Sequence, residues 1–238
     1  MIRCIQGVRA AGLPPVFALV YDVFFAVFAD LDATLRGVLG EGYRIMPNFW
    51  IYHIEPADHD HGFEPHRDAE YADTIGPDGL PTVLTVWLAL TDAVPLNSCM
   101  YVVPAGRDPD YARSIGDLTP RPPRFALEDI RALPAVARSM SCWTQYIYHW
   151  GSRSSRRAAF PRLSYALYCH RGDVAPVDQV LEVPSTLRLV DRLAYACRGL
   201  ARYSYLALRD APDSQPILDF FEAQLARVGL TGAWSTTR

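Results

Sequence analysis

The 238-residue chain contains no lysine, so all 23 of its basic residues are arginine. That absence excludes a Schiff-base lysine, a Walker A phosphate loop and a lysine-anchored pyridoxal phosphate. An anion held here by a full positive side-chain charge is held by arginine, whose forked guanidinium suits a carboxylate. Codon bias towards arginine and alanine explains the composition without a functional cause, and the exclusions stand either way. The arginines are spread along the chain and the net charge is −3, so no basic tract speaks for nucleic acid. Cysteine is scarce: Cys4, Cys99, Cys142, Cys169 and Cys197 are odd in number, widely spaced and free of any CxxC pair. Reduced thiols in a cytoplasmic protein are expected rather than a disulfide framework. No uninterrupted apolar run reaches the ~20 residues of a membrane span. The apolar stretch 16–29 follows Pro14-Pro15 and contains Asp22, unlike a signal peptide.

What is present suits a globular chain: half of the residues are apolar and 12% are aromatic. Residues 14–39 carry apolar positions at helical spacing behind two prolines, and Gly37, Gly40 and Gly42 follow. Residues 43–54 read as a strand with Asn48, Trp50 and Tyr52 on one face and Phe49, Ile51 and His53 on the other. Residues 55–62 form a polar loop in which His59 and His61 read as an exposed turn. Further strands are expected at 82–90, 99–103, 141–150 and 162–171, with a Pro- and Arg-rich insertion at 107–135 containing a short helix at 125–133. Residues 185–230 turn helical, with a second helix at 215–228, and can pack on the barrel or against a second copy of the chain as a homodimer. Many short strands separated by turn residues predict a mainly β protein. Such a chain is expected to close into a barrel or a jelly roll, the latter a cupin-like double-stranded β-helix core with N-terminal and C-terminal helices. Without repeats or long linkers, 1–238 reads as one domain with a core at 43–170 and a helical extension at 185–230.

One tripeptide carries candidate chemistry. In His66-Arg67-Asp68 an imidazole and a carboxylate stand two residues apart, on one side of an extended segment. They supply two thirds of a 2-His-1-carboxylate site, the arrangement that leaves positions open on non-haem Fe(II). His149 is the candidate third ligand, 83 residues on, within reach only in a closed fold. Its alternative is a buried, hydrogen-bonded histidine among aromatics. Arg162 and Ser164 share a strand face, and a guanidinium beside a hydroxyl suits the distal carboxylate of 2-oxoglutarate. Arg153, Arg156 and Arg157 are rivals in the preceding loop.

Four segments together resemble the phytanoyl-CoA dioxygenase family of Fe(II)/2-oxoglutarate oxygenases. They are Pro65-His66-Arg67-Asp68; Val86-Trp87-Leu88-Ala89-Leu90-Thr91-Asp92; Asn97-Ser98-Cys99-Met100-Tyr101-Val102-Val103-Pro104-Ala105-Gly106; and His149-Trp150-Gly151-Ser152 followed by Arg162-Leu163-Ser164. The chain departs from the family pattern at Ser98, at Ala105-Gly106-Arg107 and at Trp150. The resemblance implies that His66, Asp68 and His149 bind Fe(II) and that Arg162 holds 2-oxoglutarate. It further implies that Trp87 lines the cosubstrate pocket, with Ser152 and Ser164 as additional cosubstrate-binding candidates. It also implies consumption of 2-oxoglutarate and O2 to oxidise a C–H bond. Halogenating relatives lack the carboxylate ligand, so Asp68 predicts hydroxylation or a related oxidation rather than halogenation.

Asn48, Trp50, Tyr52, Arg67, Glu70, Tyr71 and Tyr146 are candidate walls for the substrate, expected to be a free small molecule of secondary metabolism. Which of them face inward depends on strand register. A cupin-like binding protein or pseudoenzyme without turnover is the alternative, because a fold alone does not decide activity.

Overall fold

The computed structural model describes residues 1–57, 60–113, 116, 118–119, 124–176, 180–183 and 187–203, together with residues 219, 220, 223, 226 and 227. It opens with a helix, α1 (Ile2–Ala10), that buries Ile5 and Val8 and has no counterpart among the sequence expectations. The single helix expected over 14–39 is two pieces. Pro15–Val20 form a 3-10 helix, Tyr21 is extended, and α2 runs over Val23–Leu39. The reason lies in the apolar run itself: Val16, Phe17, Ala18 and Leu19 are all buried, wedged among neighbouring elements on every side. Gly40, at φ 82°, then ends α2 in a conformation that glycine adopts without strain.

The strands follow in order: β1 (Arg44–Ile54), β2 (Val83–Ala89), β3 (Met100–Val102), β4 (Arg131–Leu133), β5 (Met140–Thr144), β6 (His149–Gly151), β7 (Arg162–His170) and β8 (Leu181–Glu182). A one-turn helix, α3 (Tyr71–Thr74), sits between β1 and β2, and α4 (Leu189–Arg202) follows β8. Two antiparallel sheets result, one in the order β5-β2-β7-β1-β8 and one in the order β4-β3-β6.

Three expectations change here. The strand expected over 141–150 is β5 and β6, in different sheets, because the backbone turns between them with Ile147 N–H donating to Thr144 O at 3.0 Å. The helix expected over 125–133 is a single 3-10 turn, Leu127–Asp129, followed by β4, which pairs with β3. The helix expected over 215–228 lies outside the described residues except for five helical positions, as do His59 and Arg121-Pro122-Pro123.

Strand alternation divides the large sheet into two chemical faces. Phe49, Ile51, Leu84, Val86, Leu88, Leu163, Tyr165, Leu167 and Cys169 join one core with α1, α2 and α4. Phe24 meets Tyr165 edge-on at 5.4 Å, and Phe25 meets Phe49 at 5.4 Å. The opposite face turns towards the small sheet, and Trp87, Ala89, Met100 and Trp143 form a second cluster there. Pairing between β1 and β7 is irregular between Met46 and Trp50, where Pro47 has no N–H to give to a ladder. No helix among the described residues is long and apolar enough to cross a membrane.

Candidate metal centre

The face of the large sheet turned away from the helices lines an open pocket of about 480 Å³. Each central strand contributes residues of one parity: Asn48, Trp50 and Tyr52 from β1, Thr85 and Trp87 from β2, and Arg162, Ala166 and Tyr168 from β7. Gly62, Phe63, Asp68, Met100, Trp143, His149, Gly151 and Tyr203 complete the lining.

His66 and His149 meet through their backbones. They form an antiparallel bridge in which His66 N–H donates to His149 O at 3.0 Å and His149 N–H donates to His66 O at 2.9 Å. The segment before His66 runs beside β6 so closely that Gly62 and Gly151 touch: a Cβ on Gly151 would lie 2.9 Å from Gly62 Cα. Side chains would not fit at that crossing, and glycine permits it. The two imidazoles lie 4.5 Å apart, centroid to centroid.

Each imidazole is oriented by a carbonyl two residues earlier, His66 Nδ1 by Glu64 O at 2.6 Å and His149 Nδ1 by Ile147 O at 2.9 Å. A carbonyl only accepts, so Nδ1 carries hydrogen on both rings and Nε2 is left as the ligating atom. Those Nε2 atoms lie 3.3 Å from Asp68 Oδ1 and 3.7 Å from Asp68 Oδ2. Ligand atoms of His66, Asp68 and His149 all fall within 4.8 Å of one another. The carboxylate is fixed from behind by Thr85, whose hydroxyl donates to Oδ2 at 2.7 Å, and by Tyr168, whose hydroxyl donates to Oδ1 at 3.1 Å.

Electrostatics match that geometry. Burial opposes ionisation of Asp68, yet the charges of His149 and His66 and the hydrogen bonds from His66 and Thr85 outweigh it and hold the carboxyl well below the usual range. Burial pulls His149 down to about 4, so its imidazole is neutral and able to ligate at neutral pH. His66 is also penalised by burial, but hydrogen bonding and attraction to Asp68 raise it. A buried anion between two imidazoles fits a divalent cation shared by all three. Two nitrogens and a carboxylate oxygen on one side, facing an open pocket, are the donor set of non-haem Fe(II).

Arg162 is the second charged element of the pocket. It is fully buried, and its Nε and Nη2 have no hydrogen-bond partner among the described residues. Nη1 reaches only Met100 Sδ, at 3.6 Å. The guanidinium lies over the rings of Tyr52 and Trp87, at 5.1 and 5.6 Å. Burial pulls it down to about 10, which leaves it charged at neutral pH. Beside it on β7, Ser164 Oγ is buried without a partner, as is Trp87 Nε1. Buried polar atoms without partners are uncommon, and these three side chains together fit the carboxylate of an organic acid. The rivals Arg153, Arg156 and Arg157 are exposed.

Other sequence-derived candidates divide. Asn48, Trp50 and Tyr52 line the pocket; Arg67, Glu70, Tyr71, Tyr146 and Ser152 are not among its lining residues. Arg67 Nη1 donates to Asp108 Oδ2 at 2.6 Å and to Tyr146 O at 2.7 Å, with its guanidinium 4.4 Å from the Tyr146 ring. Tyr71 packs edge-on against Tyr146 and Tyr111. Ser152 Oγ donates to Cys99 O at 3.4 Å. Trp150 stacks on Tyr101, while His149 and Gly151 on either side of it line the pocket. Thr85, Tyr168, Trp143 and Tyr203 went unread in the sequence. Strand parity with Trp87 and Arg162 marks Thr85 and Tyr168, but no sequence signal marks Tyr203.

Fold and donor set thus make a candidate mononuclear metal site of the 2-His-1-carboxylate type on antiparallel sheets. Residues 21–116, less than half of the chain, match the family model described as Phytanoyl-CoA dioxygenase (PhyH). That segment contains His66, Asp68 and Trp87; His149 and Arg162 lie beyond it. No curated protein matches the sequence. Similar solved structures include the apo form of the non-heme monooxygenase ThoJ, with 21% identity, a TM-score of 0.48, and coverage of 67% of this chain and 59% of that one. EctD from S. alaskensis with bound Fe shows 19% identity, a TM-score of 0.47 and coverage of 70% and 62%. The epimerase SnoN, in complex with Fe3+, alpha ketoglutarate and nogalamycin RO, shows 21% identity, a TM-score of 0.42 and coverage of 68% and 66%. The chain spans less than two thirds of the length of each of these three.

Proposed function

We propose that the chain is an Fe(II)/2-oxoglutarate-dependent dioxygenase that hydroxylates a C–H bond of a small molecule. The observation that carries this reading is the His66-Asp68-His149 donor set, of which Asp68 and His149 line the pocket, together with a fully buried Arg162 that lines the same pocket with two nitrogens unpartnered among the described residues. Either feature alone has other uses. A metal triad facing a receptor for a carboxylate calls for a ligand that binds both.

When bound, Fe(II) and 2-oxoglutarate would supply the oxidising chemistry, with succinate and carbon dioxide as co-products. The protein's part is binding, orientation and exclusion of water. His66 and His149 would ligate through Nε2, and Asp68 through a carboxylate already held by Thr85 and Tyr168. Arg162 and Ser164 would take the distal carboxylate, with Trp87 covering the guanidinium. Retention of Asp68 as an oxygen donor leaves no halide position among the protein ligands, which favours hydroxylation. The large and small sheets are read as the two walls of a jelly roll in a single domain, and the protein as a cytoplasmic one.

The walls support an uncharged substrate. Beyond Asp68, His149 and Arg162, the described lining residues carry no ionisable acid or base except tyrosine, and Trp50, Tyr52, Phe63, Trp143 and Tyr203 give the pocket aromatic faces. A neutral product of secondary metabolism fits that chemistry. The test is succinate formation from 2-oxoglutarate with Fe(II) and a library of such compounds, followed by mass spectrometry for one added oxygen. Metal binding without 2-oxoglutarate consumption would instead support a cupin-like binding protein.

A further inference from the structure

Asn48 brings an unused hydrogen-bond acceptor to the pocket. It is 4% exposed and lines the pocket, and its Oδ1 is buried without a partner among the described residues. Buried polar atoms in that state are uncommon, and the carboxylate site of Arg162, Ser164 and Trp87 does not use this one. Its place on β1 is unusual. Pairing of β1 with β7 runs Ile54 with Arg162, Tyr52 with Ser164 and Trp50 with Ala166, then resumes at Met46 with Tyr168. The segment from Trp50 to Met46 thus faces only the step from Ala166 to Tyr168, and Asn48 lies in the bulge between. Bulges leave their extra residues outside the ladder and re-aim side chains, often beside active sites.

The bulge is braced from behind. Phe49 packs edge-on against Phe25 at 5.4 Å, and α4 crosses so closely that a Cβ on Gly199 would lie 2.9 Å from Phe49 O. With Phe49 held among the helices, Asn48 is held on the opposite face. Register also separates it from the carboxylate site. Tyr168, at the far side of the bulge, donates to Asp68 Oδ1 at 3.1 Å. Asn48 therefore stands beside the row that fixes the metal-centre carboxylate, and about five residues of β7, roughly 16 Å of strand, divide it from Arg162. A cosubstrate that bridges the metal centre and Arg162 leaves the Asn48 end to the molecule being oxidised. Rings frame that end: Trp50 lies 4.9 Å from Tyr203, and Tyr203 lies 5.4 Å from Phe63.

We propose that Asn48 is a specificity-determining residue, and that the substrate is a neutral ring compound whose hydroxyl or amide N–H donates to Asn48 Oδ1. The inference rests on the oxygenase reading and names the substrate class for that site. Flat apolar faces take the ring, and the single unpaired oxygen selects its donor. A site built around a buried polar group rejects the analogue that leaves that group unpaired far more strongly than it rejects a change in apolar size.

The test is calorimetric titration of the full chain, loaded with Co(II) and 2-oxoglutarate, with 2-naphthol and with 2-methoxynaphthalene. The two probes share their rings and differ in the O–H donor. The parent is expected to bind 2-naphthol about 10-fold more tightly, and Asn48→Leu, which keeps the volume and discards the acceptor, to lose that preference. Thermal unfolding separates recognition from support: apo Asn48→Leu is expected to be at least as stable as the parent, since it removes an unpaired buried atom. Equal binding of the two probes by the parent, no binding of 2-naphthol, or a preference that survives in Asn48→Leu would overturn the proposal, and so would a sharp loss of stability in that variant. None of these outcomes touches the oxygenase reading. The loading steps test that reading separately: a parent chain that binds no Co(II), or no 2-oxoglutarate once Co(II) is bound, would overturn both.

Discussion

His66 and His149 are joined by two backbone hydrogen bonds, each residue donating its N–H to the other's carbonyl. The two candidate metal ligands are thus registered by the main chain, and their side chains need only the carbonyls of Glu64 and Ile147 to aim them. Preorganisation of this kind removes the cost of gathering ligands from separate loops.

The crossing of Gly62 and Gly151 is what allows that pairing, so Gly151→Ala tests it. The added methyl would lie 2.9 Å from backbone, which cannot swing aside as a side chain could. The expected result is a loss of about 1–3 kcal/mol in stability, as for other overpacked sites, with weaker Co(II) binding. Gly106→Ala is the control, since a Cβ there meets nothing within 4 Å. Chemical denaturation and metal titration of both variants provide the readings; equal behaviour would mean that the crossing does not govern the site.

Asp68 is the proposed ligand on which the choice of hydroxylation over halogenation rests, and it sits between both imidazoles. Asp68→Ala removes one of three protein donors and leaves the hydroxyls of Thr85 and Tyr168 facing empty space. Fe(II) affinity is expected to fall by about 100-fold or more, beyond the loss from a partner that only touches a ligand. Succinate formation should disappear with it. Full turnover by Asp68→Ala would remove Asp68 from the ligand set.

Arg162 is a buried cation without a carboxylate partner in the free protein, a costly arrangement unless a ligand supplies one. Arg162→Met keeps the volume and discards the charge. The apo variant is expected to be at least as stable as the parent, and to lose the thermal stabilisation that 2-oxoglutarate gives the Fe(II)-loaded parent. That stabilisation is about 2.7 kcal/mol at a ligand concentration 100 times Kd. A variant still stabilised to the same extent would move the anchor to another arginine.

Sequence alone made the inner strands and the charged centre legible because both rest on local rules. Alternation placed Asn48, Trp50 and Tyr52 on one face, and the His66-x-Asp68 spacing put two donors together. Long-range partners were less legible. The strand expected over 141–150 looked continuous because aromatics fill both β5 and β6, and only the turn at Thr144–Ile147 separates them. The helix expected over 14–39 looked continuous because an apolar run buried on all sides has the composition of a helix core. Tyr203 could not be foreseen, since its role depends on how closely Gly199 lets α4 approach β1. The place of Arg67 was illegible for a similar reason: it pairs with Asp108, 41 residues away, and is not among the described lining residues of the pocket.

That pair supports the last prediction. The side chains of Arg67 and Asp108 are each only 2% exposed, and they meet at 2.6 Å directly behind the metal-binding tripeptide. Removing one partner of a buried pair leaves an uncompensated charge and costs about 3–5 kcal/mol, whereas replacing both with apolar residues of similar size is often neutral. Arg67→Met should therefore lower the unfolding temperature sharply, and Arg67→Met with Asp108→Leu should recover much of the loss. If the pair serves only to brace the tripeptide, the double variant will bind Co(II) and yield the same products as the parent. A changed product or substrate preference in the recovered double variant would instead return Arg67 to the list of substrate-recognising residues.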